Sequence, residues 1–197
     1  MFTGIIQALG SIKTKVAYDK GAVFSFSASD FDFSTISIGD SIAVNGVCLT
    51  AIEIDDNAFK ADLSQETLDC SIFGDLSVGD SVNLEKALRL NQGIDGHLVS
   101  GHVDAQGEVI GKHKEGNSTR FKISTPQNLV KYIARKGSIT INGVSLTVNS
   151  IEKNVFDVNI VPHTLIATTL GQLAVGDKIN LEVDIIARHL EQLLSKD

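Results

Sequence analysis

Tryptophan is absent from this chain of 197 residues, proline and cysteine occur twice each, and methionine once. The two cysteines, Cys48 and Cys70, are too few for a disulfide framework or a cysteine-rich metal site and suit a reducing compartment. No apolar run reaches the roughly 18–20 residues that a membrane-spanning helix needs. Positive charge is scarce as well. The formal net charge is −7 and the lysines and arginines are scattered, so nothing draws the chain to nucleic acid or an anionic membrane. Neither a P-loop nor a dinucleotide fingerprint is found, which disfavours a nucleotide-dependent enzyme. The opening residues MFTGIIQALG lack a basic region ahead of a hydrophobic stretch, so no secretory leader is expected. These absences together lead to the expectation of a soluble cytoplasmic globule.

Glycine, by contrast, is frequent at 17 copies, and 43% of the residues are hydrophobic. Short alternating runs such as Phe24–Ser25–Phe26 and Ser81–Val82–Asn83–Leu84–Glu85 recur between Gly-Asp turns. Such spacing predicts antiparallel barrels or sandwiches rather than helices. Two stretches alone read as helix. One runs from Gln127 to Arg135, with a matching stretch near Asp32 to Ile38. The other runs from Asp184 to Leu194, where Ile186, Leu190 and Leu193 form one apolar stripe.

An internal repeat decides the architecture. Shifted by about 97 residues, the sequence falls on itself without a gap, with about 27 identities in roughly 89 pairs against roughly 5 by chance. GDSIAVNGVCLT lies over KGSITINGVSLT, and FGDLSVGDSVNLE over LGQLAVGDKINLE. The expected divisions are a first barrel over 1–96, a second over 97–184 and a terminal helix over 185–197. Each repeat is long enough to close its own barrel and carry one equivalent ligand pocket. Duplication that merely enlarges a scaffold is the plainer alternative.

The polar differences between repeats point to chemistry. Cys48 aligns with Ser145, Ile5 with His102, Glu66 with His163, and Ala87 with Asp184. The second repeat thus has a histidine, a hydroxyl and a carboxylate where the first has apolar groups or a thiol. Each has an ordinary explanation too. Cys48 reads as a small buried hydrophobe, Ser145 and Thr147 as strand residues bonding their ladder, His102 as a satisfied turn residue, and Asp184 as a helix cap. A metal site is weakly supported, since His97 and His102 lack a third nearby ligand.

MFTGII, GDSIAVNGVCLT, DLSQETL, NQGIDGHLVSGHVD, KGSITINGVSLTV, VPHTL and NLEVD occur in this order. Together, from Met1 to about Leu194, they resemble the riboflavin synthase family of the alpha-chain type. The resemblance implies a mainly β fold: two tandem six-stranded antiparallel Greek-key barrels and a C-terminal helix through which three subunits associate. It implies a transferase that dismutates two 6,7-dimethyl-8-ribityllumazine molecules to riboflavin and 5-amino-6-(ribitylamino)uracil, the last step of riboflavin biosynthesis, without metal, nucleotide or redox cofactor. Association with lumazine synthase belongs to the same set of expectations. The ligand contacts it implies in the first barrel are Gly4, Ile5, Ile6, Ser41, Cys48, Leu49 and Thr50, with Asp62, Leu63, Ser64, Gln65, Glu66 and Thr67. In the second they are His97, Gly101, His102, Val103, Lys136, Ser145, Leu146 and Thr147, with Ile160, Val161, Pro162, His163, Thr164 and Leu165. Catalytic roles are implied for Cys48, His102, Ser145 and Asp184.

The resemblance also places the reaction between the first barrel of one subunit and the second barrel of a neighbour. His102, Ser145 and Thr147 are expected to share one pocket and Cys48 and Thr50 the other, with His102 moving the proton. Which pocket holds donor and which acceptor stays open. The alternative is a non-catalytic lumazine- or flavin-binding protein of the same fold, like the lumazine proteins of light-emitting bacteria. Those lack the paired polar residues and the GHLVSGHVD segment that this chain keeps. A flavin barrel of an electron-transfer enzyme would need a partner domain that so short a chain lacks.

Overall fold

The computed structural model describes residues 1–195, and the last two positions of the expected terminal segment lie outside the described residues. Strand follows strand because alternating inward and outward residues are broken every few positions by glycine or aspartate. The first repeat contributes β1 (Ala8–Tyr18), β2 (Gly21–Ser27), β3 (Ser41–Val44), β4 (Val47–Asp55), β5 (Ala58–Ser64) and β6 (Ser81–Lys86). They close in the order β1-β2-β5-β4-β3-β6. The second contributes β7 (Ala105–Glu115), β8 (Ser118–Ser124), β9 (Ser138–Ile141), β10 (Val144–Glu152), β11 (Val155–Ile160) and β12 (Lys178–Val183), closed in the equivalent order. Two antiparallel six-stranded barrels are therefore present, as the repeat implied.

The repeats agree in detail. Ladder irregularities fall between Ile12 and Thr14 and between Ala51 and Glu53 in the first barrel. They recur 97 positions on, between Val109 and Gly111 and between Val148 and Ser150. Bulges of this kind bend a strand and increase its twist, which a small barrel needs at its corners. The fillings differ. Phe24, Phe26, Phe59 and Phe73 pack in the first barrel with ring centroids 5.2–5.9 Å apart. The second is mostly aliphatic, built on Ile123, Ile139, Ile141, Val148 and Leu181 around Phe121 and Phe156.

Helical structure departs from the expectation at four places. Gln127–Tyr132 and Phe33–Thr35 are 3-10 turns rather than α-helices. Asp32 caps the shorter one by accepting from Ser34 N, and Pro126 precedes the longer. Two short α-helices were not expected: α1 (Gln65–Cys70), which follows β5, and α2 (Pro162–Ala167), which follows β11. They are too short for a periodic pattern. The expected terminal helix is present as α3 (Ile185–Leu194), tied to its own barrel by Arg188 with Asp104 and by Lys131 and Tyr132 with Glu191. Its apolar stripe is left uncovered, with Ile186, Leu190 and Leu193 exposed by 58%, 51% and 76%.

Four asparagines join the barrels. Asn45 and Gly46 have φ of 45° and 81°, the two positive values of a tight hairpin turn, and Asn142 and Gly143 repeat it with 48° and 79°. The two turns meet back to back: a Cβ on Gly46 would lie 2.7 Å from Gly143 N. Each Asn side chain in the turns accepts from its own barrel, Asn45 from Asn83 N and Asn142 from Asn180 N, both at 2.8 Å. The strand asparagines then cross over. Asn83 donates to Asn142 O at 2.8 Å and accepts from Thr169 N at 2.7 Å. Asn180 donates to Asn45 O at 2.9 Å and accepts from Ile72 N at 2.8 Å. All four are at most 2% exposed. Replacing Asn83 by Ala orphans the Thr169 N–H and the Asn142 carbonyl, each costing about 1–3 kcal/mol when buried. Asn83→Ala should accordingly lose about 2–6 kcal/mol, read from the urea unfolding midpoint, and Asn180→Ala a similar amount.

Candidate active site

The strand alternation decides which expected residues face outward. On β4, Leu49 points into the core while Cys48 and Thr50 share the outer face, and Thr50 pairs with Ser41 across the ladder. On β10 the same pattern sets Ser145 and Thr147 outward, with Leu146 packed toward the core. At the end of β5, Asp62 and Ser64 face out and Leu63 in, and Asp62 accepts a hydrogen bond from Tyr18. Ser64 then caps α1, which carries Gln65, Glu66 and Thr67 in its first turn. In the second repeat Ile160 is core, Val161 stands at the cap, and Pro162, His163, Thr164 and Leu165 begin α2. Leu49, Leu63 and Ile160 can thus meet a ligand only through their backbone, whereas their neighbours present side chains. Lys136 precedes β9 with φ of 66°, where the first repeat has Gly39 at 96°. A left-handed lysine is uncommon, and the first repeat meets the same turn with a glycine.

The segments ahead of β1 and β7 complete the pockets, and they do so by crossing. Phe2 and Val99 pair antiparallel, with N–H to O distances of 2.7 and 3.0 Å. Beyond that pair, Ser145 N donates to Gly4 O, and Cys48 N donates to Gly101 O, both at 2.8 Å. Neither glycine tolerates a side chain. A Cβ on Gly4 would lie 2.6 Å from Ser145 Cβ, and one on Gly101 2.7 Å from Cys48 Cβ. Further on, Ile6 packs on the second core and Val103 on the first.

This corrects the expected grouping. His102 stands beside Cys48 of the first barrel and not with Ser145, because the two repeats exchange their leading segments across the seam. Gly4, Ile5 and Ile6 belong with Ser145 by the same exchange. His102 itself is exposed and carries no side-chain hydrogen bond among the described residues. Ser145 instead meets His97, with Nδ1 and Oγ 2.8 Å apart. Asp184 does cap α3, accepting from Ile186 N at 2.9 Å, and its charge also acts on His97.

Two glutamates that the sequence reading passed over hold the crossing segments. Glu85, 3% exposed, accepts from Thr3 N at 2.7 Å, Thr3 Oγ1 at 2.7 Å and Gly4 N at 3.0 Å. Glu182, also 3% exposed, accepts from Ser100 N at 2.6 Å and Gly101 N at 3.0 Å. The signal was a carboxylate repeated identically in the last strand of each repeat, Asn-Leu-Glu in both halves. Burial pushes the Glu182 carboxyl up to about 7, opposed by the backbone N–H groups of Ser100, Gly101 and His102, and burial raises Glu85 as well.

A carboxyl raised on folding contributes stability below its unfolded value near 4.5 and loses it as pH climbs through the folded value. The Glu182 contribution should therefore decline between about pH 4.5 and 7. Glu182→Gln removes that titration. The stability advantage of the natural chain over the variant, measured by urea unfolding, should be largest at about pH 4.5 and below and shrink toward pH 7.

The lumazine binding domain family matches this chain twice, over residues 3–87 and 100–184. The chain is 45% identical to riboflavin synthase of Photobacterium phosphoreum over 197 residues, covering all of this chain and 90% of that protein. It is 40% identical to riboflavin synthase of Mycobacterium bovis over 198 residues, 98% of each chain. With that of Bacillus subtilis it shares 35% identity over 196 residues, all of this chain and 91% of the relative. Among solved structures, LumP complexed with 6,7-dimethyl-8-(1'-D-ribityl) lumazine superposes with a TM-score of 0.83 at 27% identity, covering 93% of this chain and 99% of that one. LumP complexed with riboflavin gives 0.86 at 26% identity with the same coverage.

Proposed function

The chain belongs to the riboflavin synthase family, with two lumazine binding domains in tandem, and on that premise we propose that it converts two 6,7-dimethyl-8-ribityllumazine molecules into riboflavin and 5-amino-6-(ribitylamino)uracil. The observation that carries this reading is the pair of equivalent outward faces, Cys48–Thr50 and Ser145–Thr147, each completed by the leading segment of the other repeat. One lumazine lies on each face. Ser41, Asp62, Ser64 and Thr67 supply polar contacts to the first, and Lys136, Thr164 and His163 to the second. His102 serves the Cys48 pocket.

The substrate brings much of the chemistry, since its electron-poor ring makes the C7 methyl acidic. The protein's task is to hold two rings face to face, and good alignment is worth about 7–11 kcal/mol of the barrier. Within this reading the chain divides into 1–96, 97–184 and 185–197, and the pockets react across an interface between the first barrel of one subunit and the second of another. Three chains associate through α3, whose stripe of Ile186, Leu190 and Leu193 is left bare by its own barrel. A cytoplasmic location and association with lumazine synthase complete the reading. No helix among the described residues is long and apolar enough to cross a membrane.

Purified protein mixed with the lumazine alone should produce riboflavin fluorescence, and excess chelator should leave the rate unchanged. No fluorescence would overturn the enzyme, and a loss restored by zinc would overturn the metal-free reaction. Leu190→Asp puts a charge in the centre of the uncovered stripe and should give smaller species by light scattering, with activity falling in step. A variant that stays trimeric places the seam elsewhere.

A further inference from the structure

The two pockets are alike in backbone and unlike at one hydrogen bond. Cys48 and Ser145 are held the same way, through N–H to a crossing glycine carbonyl. Yet Cys48 Sγ has no hydrogen bond among the described residues, whereas Ser145 Oγ meets His97 Nδ1 at 2.8 Å. The approach is built into the backbone. A Cβ on Gly96 would lie 2.0 Å from Thr3 O and 3.1 Å from Ser145 Oγ, so only glycine lets the chain bring the next residue this close. His97 N donates to the same Thr3 carbonyl at 3.1 Å, which hangs the imidazole from the segment that crosses the seam.

The charges around the ring are few. Thr3 and Ser145 present none. Glu85, on the far side of Thr3, is occupied by the Thr3 and Gly4 donors. Asp184, at the start of α3, is the carboxylate that acts on the ring and favours its protonated form. Burial acts more strongly and draws the imidazole below its ordinary value, which keeps it neutral and ready to accept.

We propose that His97 acts through Ser145 as the base of the second pocket. Ser145 Oγ takes a proton from the C7 methyl of the lumazine bound there while its own hydroxyl proton passes to His97 Nδ1. One C–H bond breaks, its electron pair delocalises into the electron-poor ring, the serine O–H is re-formed, and the imidazolium holds the proton beside Asp184. The step requires the tautomer with hydrogen on Nε2. His97 is a positioning and relay residue, since Ser145 stands between it and the ligand. The assignment makes the second pocket the place where the nucleophilic carbanion is generated and leaves the Cys48 pocket to hold the acceptor. It rests on the lumazine reading of the site.

The test uses the full chain with 6,7-dimethyl-8-ribityllumazine in D2O, following loss of the C7 methyl proton signal alongside riboflavin formation. In the natural protein both rates should fall on the acidic side, with a midpoint below the ordinary histidine value of about 6.5. His97→Gln removes the Nδ1 acceptor that faces Ser145 and cannot take its proton. Turnover and methyl exchange should drop together by about 10²-fold or more, KM should change little, and the acidic limb should vanish. Ser145→Ala should lose the same exchange. A His97→Gln protein that exchanges at the natural rate with the acidic limb intact overturns the relay, while riboflavin formation by the natural chain still upholds the enzyme. Absence of riboflavin in the natural chain overturns the underlying reading instead. Should His97→Gln fail to bind lumazine, the natural profile decides: a rate with no acidic limb below the ordinary histidine value of about 6.5, down to the pH at which the chain unfolds, overturns the relay, and an acidic limb there upholds it.

Discussion

Four buried asparagines fix the relation of one barrel to the other, and everything distinctive about the pockets depends on that relation. Each carboxamide uses its oxygen and, in two of the four, its nitrogen on a backbone group that would otherwise be stranded in the seam. A polar network buried this deeply is favourable only when every member is satisfied, and satisfaction demands one geometry. Apolar surface alone would let the barrels slide against each other. The asparagine bonds do not, and so Gly4 arrives at Ser145 and Gly101 at Cys48 with backbone bonds of equal length.

The glutamates extend the same logic along the seam. Glu85 and Glu182 each accept consecutive backbone N–H groups from a segment that pairs with no strand of its own barrel at that point. A carboxylate costs free energy to bury, and these accept the cost because the crossing amides have no other partner. The outcome is an ordered segment with a face on each barrel.

Much of this fold was legible in the residues. The shift of 97 positions revealed two barrels, and the Gly-Asp turns and alternating runs marked their corners and walls. The terminal helix followed from Ile186, Leu190 and Leu193. What the residues did not reveal was long-range. Nothing in Leu98-Val99-Ser100-Gly101-His102 indicates which barrel it will touch, because a backbone-to-backbone bond such as Cys48 N to Gly101 O leaves no mark on side-chain pattern. His102 was accordingly assigned to the wrong neighbour, and His97 was read as a contact beside the site rather than as the partner of Ser145. The helices α1 and α2 were missed because six residues give a period of 3.6 too little length to show. Gln127–Tyr132 drew the opposite error, its apolar spacing being satisfied by a tighter turn.

A seam in which nearly every bond has a counterpart 97 residues away is the contact surface of a homodimer whose two chains have been joined end to end. Joining them changes what mutation can do. In a symmetric pair, any new side chain appears twice and must suit both places; in a single chain, one pocket can carry a serine hydroxyl where the other carries a thiol. Covalent linkage also replaces a concentration-dependent encounter by an intramolecular one, so the asparagine network forms at any dilution. The tether is thus what permits two copies of one surface to diverge in the side chains they present.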